Sequence, residues 1–226
     1  MLQVRVFDSP DVVFACADPR EGEGVAERIG RTVLLLGVGK AAAAASVSAR
    51  LARHSAAAVV LFGVAGSYPL ASHAGRDRAL AVGDLALVGA STFADEGVAT
   101  PTGFLGLAEI GIGGAVEFEH DASWLAAAAT ILGPLPVVRA ATVSTCSGTD
   151  ELARERAERS RAGIETMESA AVALACRRFA VPLLELRAVS NRTGDRRRAG
   201  FEIALACAKV ADAVEALARG KGEGRE

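Results

Sequence analysis

The feature that most constrains this chain is a series of short, uninterrupted apolar runs, most of them closed by glycine or a polar residue. Val12 to Cys16 (VVFAC), Thr32 to Val38 (TVLLLGV), Ala57 to Phe62 (AAVVLF) and Asp84 to Val88 (DLALV) have this form, and Val137 to Val143 and Leu183 to Ser190 read as two further strands that carry polar residues. Runs of this length with little polar alternation are what strands buried on both faces look like. Helical patterns lie between them: the Ala-rich Lys40 to Arg53, Ser123 to Ile131, the charged Asp150 to Ser160, the apolar Met167 to Phe179, and Ala199 to Ala218. Strand and helix alternating along the whole chain predicts an α/β fold. No repeat or linker divides the sequence, so one domain is expected over residues 1–226, with its core at about 12–218. The stretch Ser91 to Asp121 is rich in Gly and Thr and holds Pro101, which predicts a long loop region with one short helix. Gly220 to Glu226 reads as a frayed tail.

Composition narrows the function classes. With 51% hydrophobic residues in 226, the chain can bury a sizeable core. Twenty-five basic against 27 acidic side chains give a net charge of −2, so nothing electrostatic calls for nucleic acid or an anionic membrane as partner. Cys16, Cys146, Cys176 and Cys207 are scattered in or beside apolar runs with no C-x-x-C pair, as expected of inert thiols in a reducing compartment. The start Met1-Leu2-Gln3-Val4-Arg5 lacks the charged head and apolar core of a signal peptide, and no apolar run reaches the ~18 residues of a membrane span. A cytoplasmic location is the expectation. His54, His73 and His120 are isolated, so no metal site is expected, and no cofactor is called for.

A few residues carry possible chemistry. Gly63-Val64-Ala65-Gly66 follows a predicted strand, where glycine lets a ligand approach the backbone; a tight strand-to-helix turn is the alternative. The pattern is not a phosphate-binding P-loop. Glu168 begins an apolar helix, where the free N–H groups favour a carboxylate. It is either a first-turn acidic residue and nothing more, or a group that accepts both hydrogen bonds of a vicinal diol. Ser190-Asn191 closes a strand, and the Asn amide offers a donor and an acceptor for a heterocycle edge, or else caps its own turn. Glu185 and Arg187 share one face of that strand and are read as a structural pair. Asp18, Glu21 and Glu23 follow the first strand; one can activate a water, and a polar surface turn accounts for the rest.

Together these pieces resemble the purine nucleosidases of the nucleoside phosphorylase superfamily. Gly63-Val64-Ala65-Gly66 resembles their G-x-A-G loop, Met167-Glu168-Ser169-Ala170-Ala171 their Met-Glu-small-Ala-Ala helix start, and Arg187-Ala188-Val189-Ser190-Asn191 their Arg-x-(Ile/Val)-Ser-(Asp/Asn) strand end. Two further segments, Ala94 to Phe104 and Val143 to Thr149, are similar to the futalosine hydrolases rather than the methylthioadenosine nucleosidases. Ser169 stands where Gly or Ala is usual, and the N-terminal segment matches poorly.

The resemblance implies a mixed, twisted central sheet flanked by helices and a homo-oligomer. It also implies hydrolysis of the bond between hypoxanthine and ribose in futalosine, a menaquinone precursor. The roles it carries over are Glu168 on the ribose hydroxyls, Glu21 or alternatively Glu23 on water, and Asn191 on the departing base. Gly66, Ala65, Met167 and Phe201 fall beside the ligand. Three other readings stay open: a phosphate-dependent phosphorylase using Arg20 in Asp18-Pro19-Arg20, a methylthioadenosine-type nucleosidase, and a purine-binding domain without catalysis.

Overall fold

A computed structural model describes residues 3–69, 79–195, 197 and 200–220. Ten strands and seven α-helices are found among them. The strands are β1 (Val12–Cys16), β2 (Val33–Leu35), β3 (Ala58–Ser67), β4 (Leu85–Phe93), β5 (Gly97–Thr100), β6 (Gly103–Gly106), β7 (Glu117–Glu119), β8 (Val137–Thr142), β9 (Ile164–Thr166) and β10 (Leu183–Arg192). The helices are α1 (Pro19–Gly22), α2 (Val25–Ile29), α3 (Lys40–Arg53), α4 (Ala122–Leu132), α5 (Asp150–Ser160), α6 (Ser169–Arg178) and α7 (Ile203–Arg219), with a 3-10 turn at Gln3–Asp8.

Eight strands form one mixed sheet, and β5 and β6 pair as a separate antiparallel hairpin. β1 lies between β2 and β3, all parallel. β3 also pairs in parallel with β10, β10 runs antiparallel to β4, β4 is parallel to β8, and β8 is parallel to β9. β9 then returns to the far end of β3, through Gly66 and Ser67. The strands β3, β10, β4, β8 and β9 therefore close into a ring, and β1 and β2 extend from it.

The uninterrupted apolar runs have the predicted cause, since the inner strands are covered on both faces. Phe14, Val60, Phe62, Leu184 and Leu186 point to one core with Val210, Val214 and Leu217 of α7. Their neighbours Val13, Ala15, Val59 and Leu61 point to a second core with Val47 of α3 and Val172 of α6. α3 offers that core the Ala43, Val47 and Leu51 stripe, at the i, i+4 spacing of one helical face.

The expected elements are mostly present, with corrected bounds. β1, α3 and α5 span the residues expected of them. The strand expected to stop at Gly63 continues to Ser67, so Gly63-Val64-Ala65-Gly66 is strand and not loop; its backbone is held by the β10 ladder. Ser91 to Asp121 is not one long loop: it contains the end of β4, the β5–β6 hairpin and β7. β2 is shorter than Thr32 to Val38, and β4 extends beyond Val88 to Phe93. α6 starts at Ser169, which leaves Met167 and Glu168 outside it, and α7 starts at Ile203. His73 and the tail beyond Gly220 lie outside the described residues. No helix among the described residues is long and apolar enough to cross a membrane.

Candidate active site

An open cavity of about 260 Å³ lies where the ends of β1, β3 and β10 meet the segments around β9. Glu21, Ala65, Gly66, Met167, Glu168, Asn191 and Phe201, all singled out in the sequence, line it. Glu23 does not: it follows α1 and is exposed.

Glu21 reaches the cavity through local chain logic. Asp18 accepts from the Arg20 amide, Glu21 sits at the third helical position, and its carboxylate turns back to the Asp18 N–H, the reciprocal arrangement of a capping box. Oε2 accepts from Ala17 N–H and Asp18 N–H, both at 3.0 Å, and Oε1 accepts from Val64 N–H at 2.8 Å. That last bond spans a break in the sheet. β1 pairs with β3 up to Leu61 and β9 pairs with β3 from Gly66, so Val64 N–H falls between the two ladders and meets a side chain instead of a strand. Gly63 makes the approach possible: a Cβ there would overlap Glu21 Oε1 and stand 2.8 Å from Arg187 Nη1.

Glu168 is the N-cap residue of α6, but its side chain caps no amide of that helix. Oε1 accepts instead from the amide of Gly39, at the head of α3, at 2.9 Å. Oε2 lies 3.9 Å from Arg187 Nη2. Burial pushes the Glu168 carboxyl above its ordinary range, and Arg187 and the Gly39 amide offset that only in part.

Arg187 is buried beneath the cavity with 1% of its side chain exposed. It pairs with Glu185, Nε to Oε1 at 2.7 Å, as the strand spacing suggested. It also donates to the Val64 carbonyl at 3.3 Å. Sequence reasoning read it as structural; its nearness to Glu168 follows from strand register, which no local pattern reveals.

Asn191 stands at a register shift in β10. Its Oδ1 accepts from the Ser190 hydroxyl at 2.9 Å, and Nδ2 donates to the Arg192 carbonyl at 3.0 Å. These two bonds orient the amide and leave the second Nδ2 hydrogen for another acceptor. Arg20, at the cavity rim, directs Nε and Nη2 to Asp18 at 2.8 and 2.9 Å.

In one part of the wall only Ser147, within the Val143 to Thr149 segment, was singled out in the sequence; Tyr68, Arg156 and Glu165 were not. Glu165 lines the cavity and takes hydrogen bonds from Tyr68 Oη at 2.7 Å, Ser147 N–H at 2.9 Å and Ser147 Oγ at 2.5 Å, with Arg156 Nη1 at 3.4 Å. These residues meet only through the ring of strands. Nearby, Lys40 pairs with Asp95, whose other oxygen accepts from Ser144 N–H at 2.6 Å. Burial acts upward on the Asp95 carboxyl, but the Lys40 ammonium and the amide outweigh it and hold it below its usual range.

Three buried carboxylates, Glu21, Glu165 and Glu168, and a side-chain amide surround one cavity on a closed mixed sheet covered by helices, and this arrangement defines a class. The chain matches the family model of the phosphorylase superfamily over residues 14–219 and belongs to that superfamily. Within it, the chain is 33% identical to a futalosine hydrolase of Thermus thermophilus over 199 residues, covering 87% of this chain and 84% of the relative. It is 41% identical to a futalosine hydrolase of Streptomyces coelicolor over 139 residues, which span 61% of this chain and 58% of that relative. Among solved structures, a futalosine hydrolase mutant of Helicobacter pylori superposes with a TM-score of 0.75 at 18% identity, covering 91% of this chain and 97% of that one, which speaks to the fold.

Proposed function

We propose that the chain hydrolyses the N-glycosidic bond of futalosine and releases hypoxanthine. The observation that carries this reading is the pair Glu21 and Glu168: two buried carboxylates on one cavity, each anchored by backbone amides, in a chain whose relatives are futalosine hydrolases. Breaking the bond builds positive charge on the ribose and negative charge on the leaving purine. Glu168 accepts from the 2′- and 3′-hydroxyls and offsets the sugar's charge. Glu21 orients a water and takes one of its protons as the water oxygen bonds to the anomeric carbon. The bond to the base breaks at the same carbon, and the purine leaves with the bonding pair and takes a proton from solvent, while the proton held by Glu21 returns to solvent. Asn191 donates to the base as its negative charge grows, so the contact strengthens in the transition state and raises the rate. Ala65, Gly66, Met167 and Phe201 line the same cavity, and on this reading they border the nucleoside.

We propose further that the protein is a cytoplasmic homo-oligomer. Val38 and Phe201, at the cavity, are 53% and 43% exposed, and Val98 and Leu105 of the β5–β6 hairpin are 45% and 41% exposed. Exposed apolar residues around a functional site fit an interface. Four scattered cysteines, two of them buried among apolar residues, suit a reducing compartment.

The test is an assay of dialysed protein in phosphate-free buffer with futalosine, inosine and methylthioadenosine side by side. Hypoxanthine release from futalosine, with free sugar as co-product, is expected. Strict phosphate dependence would favour the phosphorylase reading through Arg20, and no release from any substrate would favour a binding domain.

A further inference from the structure

Behind the cavity lies a cluster that the proposed chemistry does not use. Glu185 is fully buried, at 0% exposure, in the middle of β10. Its Oε1 takes two hydrogen bonds, from Arg187 Nε at 2.7 Å and from Ser169 Oγ at 2.5 Å. Its Oε2 has no hydrogen-bond partner among the described residues and lies 4.0 Å from His120 Nε2. Burial pushes the His120 imidazole downward, toward its neutral form, so it offers Glu185 no competing cation. Ser169 is itself held in place, with its oxygen 2.7 Å from Thr166 Oγ1. Glu185 is thus anchored at one oxygen, by one arginine and one hydroxyl.

The position of Arg187 follows from that anchor. Its Nε edge is committed to Glu185 at 2.7 Å, whereas Nη2 stops 3.9 Å short of Glu168 Oε2. A guanidinium beside a free carboxylate ordinarily closes into a two-pronged pair. Such a pair would take the Glu168 oxygens that a diol needs. We propose that Ser169 and Glu185 act together as positioning residues, holding Arg187 back so that Glu168 stays open to the ribose hydroxyls while still feeling a nearby positive charge. The inference rests on the nucleosidase reading above.

The experiment compares wild type, Ser169→Ala, Glu185→Gln and the double variant, reading KM, kcat and the acid limb of kcat/KM. The groups that face Glu168 are Glu21, Arg187 and Glu185, with His120 behind Glu185. Releasing Arg187 toward Glu168, and removing the negative charge of Glu185, both favour the ionised Glu168. The acid limb therefore moves to lower pH in Glu185→Gln, while KM rises by about tenfold or more as Arg187 occupies the diol's acceptors. Ser169→Ala, which deletes only a hydroxyl, shifts both in the same direction by less. Ser169 Oγ also accepts from Arg187 Nη2 at 3.4 Å, so it holds the guanidinium both directly and through Glu185, and the double variant is expected to fall short of the sum of the two single effects. A purely structural role would lower the melting temperature and leave KM and the limb in place. If Glu185→Gln does not fold, Ser169→Ala decides: wild-type KM and limb overturn the proposal. A wild type that turns over no nucleoside overturns the nucleosidase reading and the inference with it; an active wild type with unaltered variants overturns the inference alone.

Discussion

The carboxylate of Glu168 joins the heads of two helices: it stands at the N-cap of α6 and accepts from the Gly39 amide at the N-cap of α3, at 2.9 Å. A carboxylate placed this way is structural and available at once, because its second oxygen is left toward the cavity side and Arg187.

Glu168→Gln separates the two roles. The change is nearly isosteric and keeps an acceptor for the Gly39 amide, so stability near neutral pH should move by under about 1 kcal/mol. Turnover should fall by about a hundredfold or more if the charge offsets a ribosyl cation. The pH dependence has a definite sign. The folded carboxyl titrates above its unfolded value, so wild type loses stability as pH rises from the ordinary carboxylate range through the raised value. The variant lacks that loss. Chemical denaturation across this window, beside kcat at neutral pH, checks both; near-wild-type turnover in a folded variant would return Glu168 to a helix-linking role.

Gly63→Ala tests the close approach beneath the cavity. The added methyl meets Glu21 Oε1 and stands 2.8 Å from Arg187 Nη1, so one or both charged groups must move. A destabilisation of about 1–3 kcal/mol is expected, with a loss of activity larger than that of a control substitution of equal stability cost. Wild-type kcat in this variant would show that the Glu21 position is not critical.

Asp95→Asn probes the Lys40 contact. The folded carboxyl lies below its unfolded value, so its contribution is present above the unfolded pKa and is lost as pH falls through the folded one. The variant should lose about 1–2 kcal/mol at neutral pH and show a flatter acid unfolding curve. Equal curves for the two proteins would remove the ion pair from the stability account.

The role proposed for Asn191 makes base choice a test of it. Its amide can donate to O6 or N7 of a 6-oxopurine without first being protonated, whereas an adenine edge presents an amino donor beside N7. A mismatch of one buried hydrogen bond is worth roughly 1–3 kcal/mol, or about 5- to 150-fold in kcat/KM. Paired 6-oxo and 6-amino nucleosides sharing one 5′ group should show that preference, and Asn191→Asp should move the ratio toward adenine. Equal efficiency on both would sink the assignment.

How far the sequence alone reaches differs between the fold and the site. β1, α3 and α5 were legible because each carries its own local pattern. β9 was not: its three residues have no pattern of their own, and pairing with β3 and β8 makes them a strand. The continuation of β3 through Gly63 and Gly66 was hidden by glycine's weak strand preference, which the β10 ladder overrides. In the site, Glu21 carries a local signal: Asp18-Pro19-Arg20-Glu21 has the spacing of a capping box, which favours α1 and turns the carboxylate back on the chain. The Tyr68, Ser147, Arg156 and Glu165 contacts had none, since they join segments far apart in sequence.

The gap in the sheet beside Val64 also makes that amide a spectroscopic probe. Its N–H donates to a carboxylate and not to a strand carbonyl, so its chemical shift is tied to the charge on Glu21. With the amides of Ala17 and Asp18 on the other carboxylate oxygen, three backbone resonances from two separate segments report on the surroundings of a single side chain, with no substrate present and no label on any side chain.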